Sequence, residues 1–213
     1  MIKLMFKMKK YSFIIIILIF CMFSCKKSNY KEINRTINKE NLLCSKADKL
    51  KKSFINNNYV PFFNSFPNSF CEFNSLYGYD DNKGAKPLYG DYYNHINFLF
   101  DSVCVNRHLF NQKVINVAIN GKWEADATSL FQKKILNLVL YDTKDVLNIL
   151  SEKSFEETKS FWRYLFDGPN PSDNMNKERF EKIYLKVKPL SSTQAKYMKD
   201  EYEELIRLEM KDN

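Results

Sequence analysis

From about residue 39 to the carboxyl terminus, apolar residues recur every three or four positions, and no run alternates strictly between apolar and polar. That spacing places them on one face of a helix, whereas a half-buried strand needs a period of two. Only 5 Gly and 6 Pro interrupt 213 residues, so the breakers read as helix ends. The expected fold is all-α, a compact bundle of about seven to eight helices, and short links between helices leave a repeat-like pairing open.

A first helix is predicted from about Lys39 to Ile55, ended by Asn56, Asn57, Asn58 and Pro61. After Pro67, Asn68 or Ser69 caps a helix that turns Phe70, Phe73, Leu76 and Tyr77 inward and stops at Gly78. Tyr79 to Pro87 reads as a loop, and Tyr89, Tyr93, Ile96, Leu99, Phe100 and Val103 mark the next amphipathic helix. Val114 to Ala118 fits a short helix, or equally a strand reaching Ile119. Trp123 to Tyr141 reads as one long helix, and Thr143 caps a turn carrying Val146, Leu147 and Leu150. Ser154 and Glu157 form a capping box for a helix that Gly168, Pro169 and Pro171 stop. Two last helices fit Lys177 to Lys186 and Ser192 to Met210.

The amino terminus carries Lys3, Lys7, Lys9 and Lys10 without an acid, then the 11-residue apolar run Phe13 to Phe23, Ser24 and Cys25. A membrane-spanning helix needs roughly 20 apolar residues, so this run is the core of a secretory signal, residues 1–24. Met22, Phe23, Ser24 and Cys25 resemble the lipobox of bacterial lipoproteins, with Met22 where Leu is commoner and Phe23 where a small residue is usual. The resemblance covers only this segment. It implies that Cys25 is acylated and becomes the first mature residue, its acyl chains contributing about 0.8 kcal/mol per buried methylene. With Lys26 and Lys27 following rather than Asp, it also implies an exported protein in the outer membrane, facing the periplasm. Residues 25–38 then form a polar tether, and 39–213 a single helical domain.

Removing residues 1–24 takes away four lysines and no acid, which halves the formal charge of +8. The remaining lysines are interspersed with Asp and Glu, so no clustered basic face for nucleic acid is expected. Cys44, Cys71 and Cys104 remain, an odd set without disulfide-framework or zinc spacing, and Cys71 and Cys104 are predicted to be buried thiols on apolar helical positions.

Catalytic and metal motifs are scarce. His95 and His108, the two histidines, stand thirteen apart instead of four, and no Gly-rich phosphate loop or nucleophile elbow is present. The Asp80 to Asp91 stretch has the length of a calcium loop but Ala85 at the glycine position and Lys83 and Lys86 inside, so it reads as a polar turn. Asp167, at a helix end, is expected to fold over its turn onto amides near Asn170, and Glu124 and Asp126 to favour a helix dipole. No catalytic residue, metal or cofactor is assigned.

Aromatic residues make up 15% of the chain, and Tyr77, Tyr79, Tyr89, Tyr92 and Tyr93 gather around Asp80, Asp81 and Asp91. Tyrosine offers rigid contact area with a polar tip, which suits a protein interface or a sugar cleft. These eight residues are the candidate binding set. The expected function is that of a non-catalytic protein-binding module held to a membrane through lipid on Cys25. The layout, a lipobox followed by a small motif-poor domain, resembles that of immunity lipoproteins that neutralise delivered toxins. The alternative is an envelope lipoprotein that binds a glycan or other ligand.

Overall fold

The computed structural model describes residues 41–102 and 104–212, and from Lys46 onward the chain forms one compact unit. The signal segment, Cys25 and the tether lie outside the described residues. Among the described residues the fold is all-α. Helix α1 covers residues 41–55. It is followed by α2 (Tyr59–Ser65), α3 (Phe70–Tyr77), α4 (Tyr92–Asp101), α5 (Arg107–Ala118), α6 (Ala127–Tyr141), α7 (Thr143–Ser151), α8 (Phe155–Phe166), α9 (Asn174–Val187) and α10 (Ser192–Asp212). No described helix is long and apolar enough to cross a membrane.

The capping residues act largely as their types dictate. Ser69 accepts from Glu72 N at 3.3 Å at the start of α3, and Ser154 and Glu157 make the reciprocal capping box of α8. Asn106 and Asp173 cap α5 and α9 in the same way. Thr143 does not cap α7: Asp142 precedes the helix, and Thr143 Oγ1 donates back to Val139 O at 2.7 Å.

Ten helices among the described residues, against the seven to eight expected, come from two places. Residues 143–151 form a full helix rather than a turn, and α2 occupies the stretch read as a break. Pro61 is the third residue of α2, in the first turn, where a missing N–H removes no intrahelical bond. Its apolar neighbours Tyr59, Phe62 and Phe63 are buried and hold the short helix in place. The ambiguous segment at Val114 is the end of a twelve-residue helix, α5, that begins at Arg107. The loop Tyr79 to Pro87 contains a minimal antiparallel hairpin, β1 (Tyr79–Asp80) with β2 (Gly84–Ala85).

Aromatic rings fill the core. Phe62, Phe66, Phe73, Tyr77, Phe110, Phe131, Phe161, Trp162, Tyr164 and Phe166 are among the largest fully buried side chains. Each such side chain contributes roughly 1.5–3 kcal/mol through burial. Phe73 and Phe131 meet at 5.0 Å between centroids, joining α3 to α6, while Phe180 stacks on Tyr202 at 4.4 Å between α9 and α10. The most extensive helix packing joins α8 with α10, and Gly121, in the link after α5, lets that link lie against α8: a Cβ there would be 2.5 Å from Tyr164 Cδ2.

Cys71 and Cys104 are exposed, contrary to the expectation of buried thiols. Cys71 follows Phe70 at the start of α3, where Phe70 and Phe73 take the inner face and leave it outside. Cys104 lies in the link between α4 and α5, beyond the helix that was expected to bury it.

Candidate functional site

The tyrosine-rich region is built on α3. Its buried face ends with Leu76 and Tyr77, and Gly78 follows because a Cβ there would overlap the Asn74 carboxamide. The hairpin is then fastened back to the helix end: Lys86 N donates to Gly78 O at 3.1 Å and Leu88 N to Leu76 O at 2.8 Å. Leu88 is fully buried and anchors the single 3-10 turn Tyr89–Asp91 that leads into α4. This short circuit places Tyr79, Tyr89 and Tyr92 in a row, with centroids 5.5 Å and 6.2 Å apart in succession.

The facing wall comes from residues 123–126, between α5 and α6. Gln132 and Asn176, both buried, donate to the carbonyls of Tyr164, Asp167 and Phe166 and so satisfy the open end of α8. Asp167 is thereby fixed, and its Oδ2 accepts from Trp123 N at 2.7 Å. Its carboxylate reaches this loop and not the amides near Asn170. Asn74 Nδ2 donates to Glu124 Oε1 at 3.0 Å, and the Tyr89 hydroxyl donates to Asp126 Oδ2. Asp126 holds φ at 59°, outside the helical region, so residues 123–126 stand before α6 instead of forming its first turn. The long helix expected from Trp123 therefore starts at Ala127.

Between the two walls lies an open cleft of about 550 Å³ lined by Tyr79, Asp81, Tyr89, Trp123, Glu124 and Asp126, with Gly78 and Tyr77 at its floor. Tyr79 is 56% exposed. Hydrogen bonding to Asp126 raises the Tyr89 pKa, reinforced by burial, which keeps its hydroxyl a donor to that carboxylate. Among the described residues no histidine, cysteine, serine, lysine or arginine lines the cleft. Among the described residues no group of His, Cys, Asp or Glu converges as a metal site.

The structure divides the eight candidate residues. Tyr79, Asp81 and Tyr89 share the cleft. Tyr92 and Tyr93 line a neighbouring groove of about 420 Å³ on the far side of Asp126, beside Lys133 and Arg179. Tyr77 is a core residue and not a surface one: it is fully buried, with Oη 3.1 Å from His95 Nδ1. Burial holds the Tyr77 pKa well above its usual value and pushes His95 down to about 4. Asp80 is turned into its own hairpin, where Oδ1 accepts from Asn82 N and Lys83 N, each at 3.0 Å, and Oδ2 lies 3.4 Å from Lys86 Nζ. Those backbone bonds lower its pKa. Asp91 points to α1 and pairs with Lys51 at 3.3 Å.

Trp123, Glu124 and Asp126 enter the site from more than thirty residues away, and their role was not read from the sequence. The signal lay in Asp126, an acceptable N-cap type directly before the apolar run of α6, which would have freed Trp123 for a loop.

A second polar cluster cross-braces α5 and α7. His108 Nδ1 lies 2.7 Å from Asp145 Oδ1, Asn111 Nδ2 donates to Asp145 Oδ2 at 2.7 Å, and Arg107 Nε donates to Asp142 Oδ2 at 2.6 Å. Asn111 is fully buried, which suits a brace. Compared with known proteins, the chain matches no family model, no curated protein and no solved structure, so its chemistry is read from these residues alone.

Proposed function

We propose that this chain is a lipid-anchored, non-catalytic protein-binding module of the bacterial envelope, exported by residues 1–24, held through Cys25 and presenting the cleft between the hairpin and residues 123–126 to its partner. The observation that carries this reading is that Tyr79 and Tyr89 share a cleft with Trp123, on a frame held by the buried Leu88, by backbone hydrogen bonds and by the Asp167, Glu124 and Asp126 carboxylates. Rigid aromatic surface of this kind loses little side-chain entropy on binding, which is why Tyr and Trp dominate interface hot spots. The lipobox-and-small-domain layout favours an immunity-type role, in which the partner is a toxin arriving at the envelope.

A second reading is binding of a glycan. Aromatic walls beside carboxylates suit sugar rings, and a cleft of this size can hold one or two of them. In-cell photocrosslinking separates the readings, with a benzophenone side chain placed at Tyr79 and, as a control, at the exposed Tyr141 far from the cleft. Protein binding predicts a discrete covalent adduct of one added polypeptide from position 79 and none from 141. Adducts sensitive to glycan-cleaving enzymes and free of protein would overturn it.

A further inference from the structure

We infer that the cleft takes a Lys- or Arg-bearing segment of the partner protein. The inference rests on the reading of the cleft as a protein-binding face and deepens it. Asp80 and Asp91, the acids of this region that lie outside the cleft, are each neutralised by a lysine of the same chain. The three carboxylates that line it are not. Asp81 is exposed, Glu124 accepts from the Asn74 amide and Asp126 from the Tyr89 hydroxyl; among the described residues none of the three forms an ion pair. Among the described residues no lysine or arginine lines this aromatic-walled recess, in a chain that carries 33 Lys and Arg and a formal charge of +8.

Like charges gathered in a recess with low-dielectric walls focus their field, and salt screens them less than on an open surface. The same walls carry the faces of Tyr79, Tyr89 and Trp123, and a guanidinium or ammonium gains from both features, since it stacks on aromatic rings and pairs with carboxylates. A neutral sugar would use the rings and gain nothing from the uncompensated charge. An anionic ligand would be repelled. A free organic cation shares the chemistry, but the tyrosine row continues past Asp126 to Tyr92 and Tyr93, in a groove that Lys133 and Arg179 also line. A segment that seats its cation in the cleft finds further contact surface there for its uncharged or acidic residues, which a single small amine does not use.

The fluorescence of Trp123 reads this site directly. The chain has 2 Trp, and the other, Trp162, is fully buried with its Nε1 donating to Gln194 Oε1 at 2.7 Å, so its emission is a fixed background. The full chain in neutral detergent is titrated with nona-arginine, nona-glutamate, argininamide and chitotetraose at low salt. The inference expects a saturable change with nona-arginine that disappears in Trp123→Phe and weakens as salt is raised. The isosteric triple variant Asp81→Asn, Glu124→Gln, Asp126→Asn keeps the hydrogen-bond acceptors and should weaken binding by at least about tenfold. A control triple of exposed acids elsewhere, Glu152→Gln, Glu178→Gln, Glu181→Gln, should bind within about twofold of the unaltered chain. Argininamide should bind about a hundredfold more weakly than the peptide.

The inference is overturned if nona-arginine gives no saturable Trp123 change or if the two triple variants lose binding equally. It is equally overturned if argininamide matches the peptide or if chitotetraose alone produces the response. The photocrosslink from Tyr79 is scored separately: a captured protein with no response to nona-arginine rejects the cation preference and leaves the protein-binding reading standing.

Discussion

His95 shows how much a single buried residue controls. It sits against Phe54 at 4.9 Å and Phe62 at 5.2 Å between ring centroids, with the Tyr77 hydroxyl on its Nδ1. Burial disfavours the imidazolium more than Asp91 favours it, which pushes the pKa from 6.5 to about 4. The folded chain therefore binds fewer protons than the unfolded chain between those values. Stability is fully present above the unfolded pKa and is lost as pH falls from 6.5 toward about 4, in total about 3 kcal/mol. Urea denaturation at a series of pH values should show this decline. In His95→Phe the baseline at neutral pH should drop, because Tyr77 loses its partner, and the slope over the same window should flatten. An unchanged slope in the variant would show that other groups carry the pH dependence.

At the scale of elements, the ends of α8 decide where the cleft's second wall stands. Its beginning is fixed by the Ser154 and Glu157 box and its end by Gln132 and Asn176, and Asp167 beyond that end holds the Trp123 backbone. Ser154→Ala should cost about 1 kcal/mol in thermal or urea unfolding without altering Trp123 fluorescence, since the cap is remote from the loop. A loss well above that, or a shifted emission, would mean that α8 frays as far as Asp167. The box was legible because both of its halves are local: a serine and a glutamate three apart declare themselves in any sequence. The same holds for Ser69 and for the apolar face of α3, whereas on α4 Ile96 and Leu99 are buried as expected but Tyr93, read onto the same face, is exposed. The second wall was hidden because Asp126 leaves the helical region at φ 59° and because Asn74, Tyr89 and Asp167 reach residues 123–126 across the fold. Helical periodicity continues through such a break without a mark. Helix α2 was hidden for the opposite reason: Pro61 looks like a stop, and only its first-turn position makes it harmless. Tyr77 and Tyr79, two residues apart, illustrate the limit for the site itself, since composition groups them while the helix end sends one to the core and the other to solvent.

For the whole molecule, the functional reading joins two ends of the chain that do different work. The helical unit from Lys46 supplies a rigid aromatic recess with uncompensated carboxylates. The proposed lipid at Cys25 would hold that recess at the membrane, where a binding module meets incoming proteins at high effective concentration without leaving the cell. Anchoring is the claim on which the envelope role, the immunity-type reading and the choice of partner all depend. Metabolic labelling with an alkyne fatty acid, followed by fractionation, tests it most directly. The account predicts that the chain is labelled, that Cys25→Ser abolishes the label while Cys44→Ser does not, and that the labelled form sediments with the outer membrane. An unlabelled chain recovered from the cytosol would contradict it.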